Sequence, residues 1–133
     1  MTNSSPPRGF PQSEFEQRTL KVQRMMTEQK LDAILLTTEP NVRYFSGFLT
    51  QFWQSPTRPW FLIVPREGNP LAVIPEIGLA GMESTWVKDI RTWTSPCPED
   101  DGISLLAQAL NEVKTRFGRL GLTLGQESHL RMP

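Results

Sequence analysis

The order of segments in this 133-residue chain predicts an α/β protein. The expected form is three-layered, a mixed sheet of five to six strands with helices on both faces. Three observations carry that expectation. Helix-like and strand-like segments alternate at both ends of the chain. Two apolar β-type runs separated by turn residues form a hairpin in the middle. One late segment places apolar residues every three or four positions, the spacing of a helix packed on one side.

Residues 1–12, with Ser4-Ser5-Pro6-Pro7 and Gly9, read as a flexible arm, and residues 13–133 as one domain. Ser13 and Glu16 have capping-box spacing for a helix ending near Lys30. Phe15, Leu20, Val22, Met25 and Met26 supply its apolar side. Ala33 to Leu36 is a continuous apolar run, as in a strand buried on both faces. Pro40 disfavours helix at Glu39, and Asn41 can cap a short turn carrying Val42, Tyr44 and Phe45. Gly47 suits the left-handed residue that ends it.

Residues 60–64 and 71–74 are the hairpin strands, with Gly68 and Asn69 between them. A short helix is expected over residues 76–86, with Ile77, Leu79 and Ala80 inward, and a strand over 89–93. The breaker-rich residues 95–102 lead to the most periodic segment. There Ile103, Leu106, Leu110, Val113 and Phe117 share one face, and Gly118 is the expected stop. Leu120, Leu122 and Leu124 then alternate as in a half-buried strand.

Hydrophobic residues at 38% and charged residues at 21% fit a globular domain with a single core. Lys plus Arg and Asp plus Glu balance at 14 each, so no charge argument favours nucleic acid or an anionic membrane. No apolar run is long enough to span a bilayer, and the N-terminus has no secretory apolar region, so a cytoplasmic location is expected. One cysteine excludes an intrachain disulfide and a cysteine zinc site.

Few residues offer chemistry. His129 stands in a polar tail without the companions of a metal site. Cys97, between Pro96 and Pro98, has no base near it in sequence, and reads as a structural thiol. Asp100 and Asp101 precede a helix, where carboxylates cap and complement the dipole. Gly47, Gly78 and Gly81 form no phosphate-binding pattern. No catalytic or metal-ligating residue is therefore expected in this chain. The loop from Leu49 to Pro59 is different. It gathers Phe52, Trp53 and Arg58, residue types that anchor binding surfaces. The alternative is that these aromatics pack on their own sheet, and Trp60, opening a strand, is expected in the core.

Leu31-Asp32-Ala33, then Asn41-x-x-Tyr44-x-x-Gly47-Phe48 after the strand, together with the element order and a final Gly125-Gln126-Glu127, resemble the N-terminal domain of the creatinase/prolidase metallohydrolases. The resemblance runs from about Phe15 to Glu127. It implies a non-catalytic accessory domain in an Xaa-Pro dipeptidase, an aminopeptidase or a creatinase-like C–N hydrolase. The reaction centre, with two divalent ions (Mn, Co or Zn) on an Asp, Asp, His, Glu, Glu set, would lie in a downstream catalytic domain. The resemblance also implies a homodimer, with the Leu49–Pro59 loop capping a neighbouring subunit's substrate pocket. The isolated chain is expected to be inactive. The competing reading is a free-standing α/β interaction or regulatory module, and the sequence following Pro133 discriminates between the two.

Overall fold

Strands β1 (Ala33–Leu36), β2 (Phe61–Pro65) and β3 (Leu71–Pro75) are made of the uninterrupted apolar runs, and every residue of β2 and β3 is buried. Such runs suit strands covered on both faces. The computed structural model describes residues 10–50, 59–114 and 116–122. Within them, β4 (Asp89–Trp93) and β5 (Leu120–Leu122) complete a five-stranded sheet of order β4-β3-β2-β1-β5. The β1–β2 and β2–β3 pairs are antiparallel, while β1–β5 and β3–β4 are parallel. The mixed sheet and its central hairpin are those expected from the sequence.

Helices α1 (Gln12–Gln29), α2 (Glu39–Ser46) and α3 (Leu79–Glu83) cover one face, and α4 (Ile103–Val113) the other. Alternation along each strand divides the core. Leu36, Leu62, Val64, Ala72 and Ile74 meet Phe15, Met26, Val42 and Met82 on the first face. Ala33, Leu35, Phe61, Ile63 and Val73 meet Leu106 and Ala109 on the second. Leu106 is buried as expected, and Ile103, Leu110 and Val113 pack around it half-buried.

Several local expectations are corrected. α1 opens at Gln12 behind Pro11, with no side-chain cap, so Ser13 and Glu16 do not form a capping box. Its buried stripe is Phe15, Thr19, Gln23 and Met26, which turns Leu20 and Met25 outward to 57% and 56% exposure. Gln23 is buried because its amide donates to the carbonyls of Pro65 (2.9 Å) and Gly68 (2.8 Å) at the hairpin. α2 starts at Glu39 behind Thr38, not at an Asn41 cap. Pro40 fits inside its first turn, where no intrahelical N–H is required. Residues 76–86 split into a 3-10 turn (Glu76–Gly78) and the one-turn α3. Gly78 and Met82 face inward there, and Ile77 and Ala80 face solvent.

The C-terminal part departs furthest. α4 stops at Val113, before Phe117, and Gly118 (φ +70°) belongs to the following turn instead of ending the helix. A buried carboxylate explains that turn. Asp32, 1% exposed, accepts backbone N–H groups from Arg116 (3.1 Å), Phe117 (3.0 Å) and Gly118 (2.7 Å). Its own N–H donates to Arg119 O, and its carbonyl accepts from Arg66 N, so one residue joins three segments. Burial alone would raise the pKa of this carboxyl. The three backbone donors, aided by the Arg66 guanidinium, outweigh burial and hold it below its ordinary value. β5 then pairs with β1 so that Leu120 and Leu122 lie opposite Ala33 and Leu35, on the face of the sheet that carries α4. Both leucines are exposed, and Gly121 takes the inner place against Leu31 and Ile34.

Candidate functional site

The segment ahead of the aromatic loop is tied down by hydrogen bonds to its carbonyls. The last carbonyls of a helix have no intrahelical donor, yet at the end of α2 those of Tyr44 and Phe45 find side-chain donors. Gly47 N–H donates to Arg43 O (2.8 Å), the Arg18 guanidinium to Tyr44 O (2.8 Å) and the Trp86 indole to Phe45 O (2.8 Å). Ser46 Oγ donates to Val42 O (2.6 Å) and accepts from Phe48 N (3.0 Å). Gly47 has the left-handed conformation (φ +79°) expected from the sequence. A Cβ there would also lie 2.9 Å from the Phe15 ring. Both backbone freedom and space require glycine at this position.

The base of the loop is an aromatic pair. Phe48 and Trp60, each 2% exposed, pack with ring centroids 5.4 Å apart, so the described chain on the two sides of residues 51–58 meets in the core. Two glycines make room. A Cβ on Gly78 would come within 2.2 Å of the Trp60 ring, and one on Gly81 within 3.1 Å of Phe48. The sequence shows these glycines only as lacking a nucleotide pattern. Their role depends on rings distant in sequence, and no local signal points to it. Trp60 is in the core, as expected. Phe52, Trp53 and Arg58 lie outside the described residues.

Beside the loop base, α1 and α2 form a groove of about 550 Å³. Phe10, Tyr44 and Leu49 line it at 60%, 48% and 59% exposure. Arg18 stands between two of them, its guanidinium 4.6 Å from the Phe10 ring centroid and 4.3 Å from that of Tyr44. Glu14 accepts a bond from Arg18 Nε (3.4 Å). Arg43 also lines the groove, and among the described residues it has no ion pair and no acidic residue lines the groove. This groove escaped the sequence reading, which followed only the apolar side of α1. The one available signal was an arginine among Phe10, Phe15 and Tyr44.

The remaining candidates are structural or out of view. Asp100 accepts Ser104 Oγ–H (2.5 Å) and Ser104 N–H (3.1 Å), the capping role expected of it. The Ser104 hydroxyl is the main reason its carboxyl stays below the ordinary value. Cys97 is a free, half-buried thiol packed near the α4 side of the core. His129 lies outside the described residues. Among the described residues no group of three or more His, Cys, Asp or Glu side chains is placed to hold a metal ion. No helix among them is long and apolar enough to cross a membrane.

The fold recurs in solved peptidase structures. Dipeptidase PepE from Mycobacterium ulcerans is 24% identical with a TM-score of 0.61, covering 77% of this chain and 27% of its own. The recombinant prolidase from Thermococcus sibiricus is 18% identical with a TM-score of 0.66, covering 86% and 35%. The N-terminal domain of Xaa-Pro dipeptidase from Lactobacillus brevis is 13% identical with a TM-score of 0.67, covering 84% and 79%. At these identities the likeness is one of fold. The chain spans about a quarter to a third of the two longer proteins. No curated protein matches it significantly in sequence. The family model described as "Creatinase/Prolidase N-terminal domain" matches residues 18–129, most of the chain, which therefore belongs to the creatinase/prolidase family through that domain.

Proposed function

We propose that this chain is the non-catalytic N-terminal domain of a larger metallohydrolase that cleaves a C–N bond in a dipeptide or a small amino-acid-like substrate. The two divalent ions of such an enzyme (Mn, Co or Zn) would be held by a downstream catalytic domain. This domain would serve subunit association, in a cytoplasmic homodimer, and would cap part of a neighbouring subunit's substrate pocket through the Leu49–Pro59 loop.

The observation that carries this reading is the loop base. A tied helix end and a buried Phe48–Trp60 pair fix both ends of a segment that contains Phe52, Trp53 and Arg58. A rigid base lowers the ordering cost of presenting such residues to a ligand. Arg58 carries a permanent charge and a planar fork suited to a carboxylate, the group that a dipeptide presents.

The test is made in the full-length enzyme. Arg58→Ala or Trp53→Ala is expected to lower kcat/KM about tenfold or more, the loss of one charge-assisted contact of roughly 1.5–3 kcal/mol, with metal content and folding unchanged. A loop-mutant subunit should complement a metal-ligand mutant in a mixed dimer. Wild-type efficiency in both variants would refute the capping role.

A further inference from the structure

We infer that the groove between α1 and α2 is a docking face for an acidic and apolar segment of the same protein beyond residue 133. Eight large hydrophobic side chains are exposed among the described residues, and three of them, Phe10, Tyr44 and Leu49, converge on this groove. Scattered exposed apolar residues are ordinary; a cluster at one concave site marks an interaction surface.

The cluster is also pre-ordered. Arg18 stacks between Phe10 and Tyr44 while its guanidinium is bonded to the Tyr44 carbonyl and to Glu14, and Phe10 meets Phe15 edge-on at 6.5 Å. Holding two exposed aromatics this way removes part of the entropy that a partner would otherwise have to offset. Stability of the isolated domain gains little from their exposed faces. Aromatic and arginine side chains in such a setting are the usual anchors of an interface.

Charge selects the occupant. Among the described residues, Arg18 and Arg43 line the groove without an acidic counterpart in its wall, and an adjoining groove of about 440 Å³, which shares Phe10, Phe15 and Gly47, adds Lys88 and again no described carboxylate. Glu14 offsets Arg18, which leaves Arg43 as the cation a partner would answer. The complementary surface carries carboxylates beside aliphatic side chains. Matching proteins extend well past the length of this chain, which covers 27% and 35% of two of them. The inference rests on the reading that this chain continues into a larger protein; Leu49 is shared with the proposed capping loop, whereas Phe10, Arg18, Arg43 and Tyr44 lie outside that loop.

The sequence following Pro133 tests that underlying reading by itself. The docking face is tested by photo-crosslinking of the full-length protein carrying Tyr44→p-benzoylphenylalanine, a groove position outside the Leu49–Pro59 loop, with adducts mapped by mass spectrometry. The expected adduct lies beyond residue 133, in a peptide containing Asp or Glu. Arg43→Glu in the same background should lower its yield severalfold, and Arg24→Glu, on the exposed side of α1, should leave it unchanged. Adducts confined to residues 51–58, adducts to residues 1–133 of a second copy, or no protein adduct would each overturn the proposal. An unchanged yield with Arg43→Glu would overturn it as well. Loss of the capping role of Arg58 and Trp53 with the adduct retained would leave the docking face standing.

Discussion

Two of the long-range ties in this domain work by opposite physics. At the loop base, Phe48 and Trp60 close a segment by apolar contact, and glycines at 78 and 81 give way to them. At the far end of the sheet, Asp32 closes the α4–β5 connection by offering a buried charge to three backbone N–H groups. The first tie is non-directional and depends on volume. The second is directional and depends on protonation. Substitutions that alter size should damage the first, and a change of pH should loosen the second.

Trp60→Ala is expected to have the largest effect. It empties a fully buried aromatic site and opens the loop base, at a cost of about 3–5 kcal/mol. A denaturant midpoint close to wild type would show that the pair is peripheral. Gly78→Ala approaches the same contact from the other side. Its methyl would lie 2.2 Å from the Trp60 ring, so the ring or the 3-10 turn must move, at a cost of about 1–3 kcal/mol. With Trp60→Ala in the background, Gly78→Ala should be nearly neutral, because the two substitutions share one space and do not add. Additivity would mean that Gly78 is required for its backbone and not for room.

Gly47→Val offends both requirements at once, at the other end of the loop base. The residue has positive φ and faces the Phe15 ring, so a β-branched side chain is strained in both respects, by about 1–3 kcal/mol. In a full-length protein with the hydrolase activity proposed above, the same change should lower that activity further than its stability loss explains, if the α2 end positions the loop. Equal activity at equal folded fraction would break that link.

The legible parts of this fold are those whose cause is local. β1, β2 and β3 could be read because strands buried on both faces need unbroken apolar runs, and Gly47 because a helix end needs a left-handed residue. α4 could be read only as far as Val113. Its period continues to Phe117 by coincidence, since the backbone N–H groups of 116–118 are taken by Asp32, more than eighty positions earlier. Asp32 itself was visible within Leu31-Asp32-Ala33, but nothing near it in sequence indicates what it bonds. The alternating leucines of β5 fixed its period but not its face, because alternation cannot report which side a helix covers. The candidate site divides in the same way. The residue types in the loop drew notice, but its base required Gly78, Gly81 and Trp60 to be brought together.

The finest distinction between the two ties is one of pH. Asp32 is depressed below the ordinary carboxyl value of 3.8 in the folded protein, so the unfolded chain binds its proton first as the pH falls. Its contribution to stability is therefore complete above that ordinary value and disappears as the pH drops through the depressed one. Asp32→Asn keeps the size and one carbonyl acceptor but cannot carry the charge. At neutral pH the variant should unfold at a lower denaturant midpoint than the wild type, with a smaller loss than Trp60→Ala. As the pH is lowered from about 5 to about 2 the two midpoints should converge, since the wild type alone loses this carboxylate. Asp100, also depressed, titrates in both proteins and cancels from the comparison. Trp60→Ala should keep a constant gap from wild type over the same range. A constant gap for Asp32→Asn would show instead that the shape of the side chain, and not its charge, holds the α4–β5 turn.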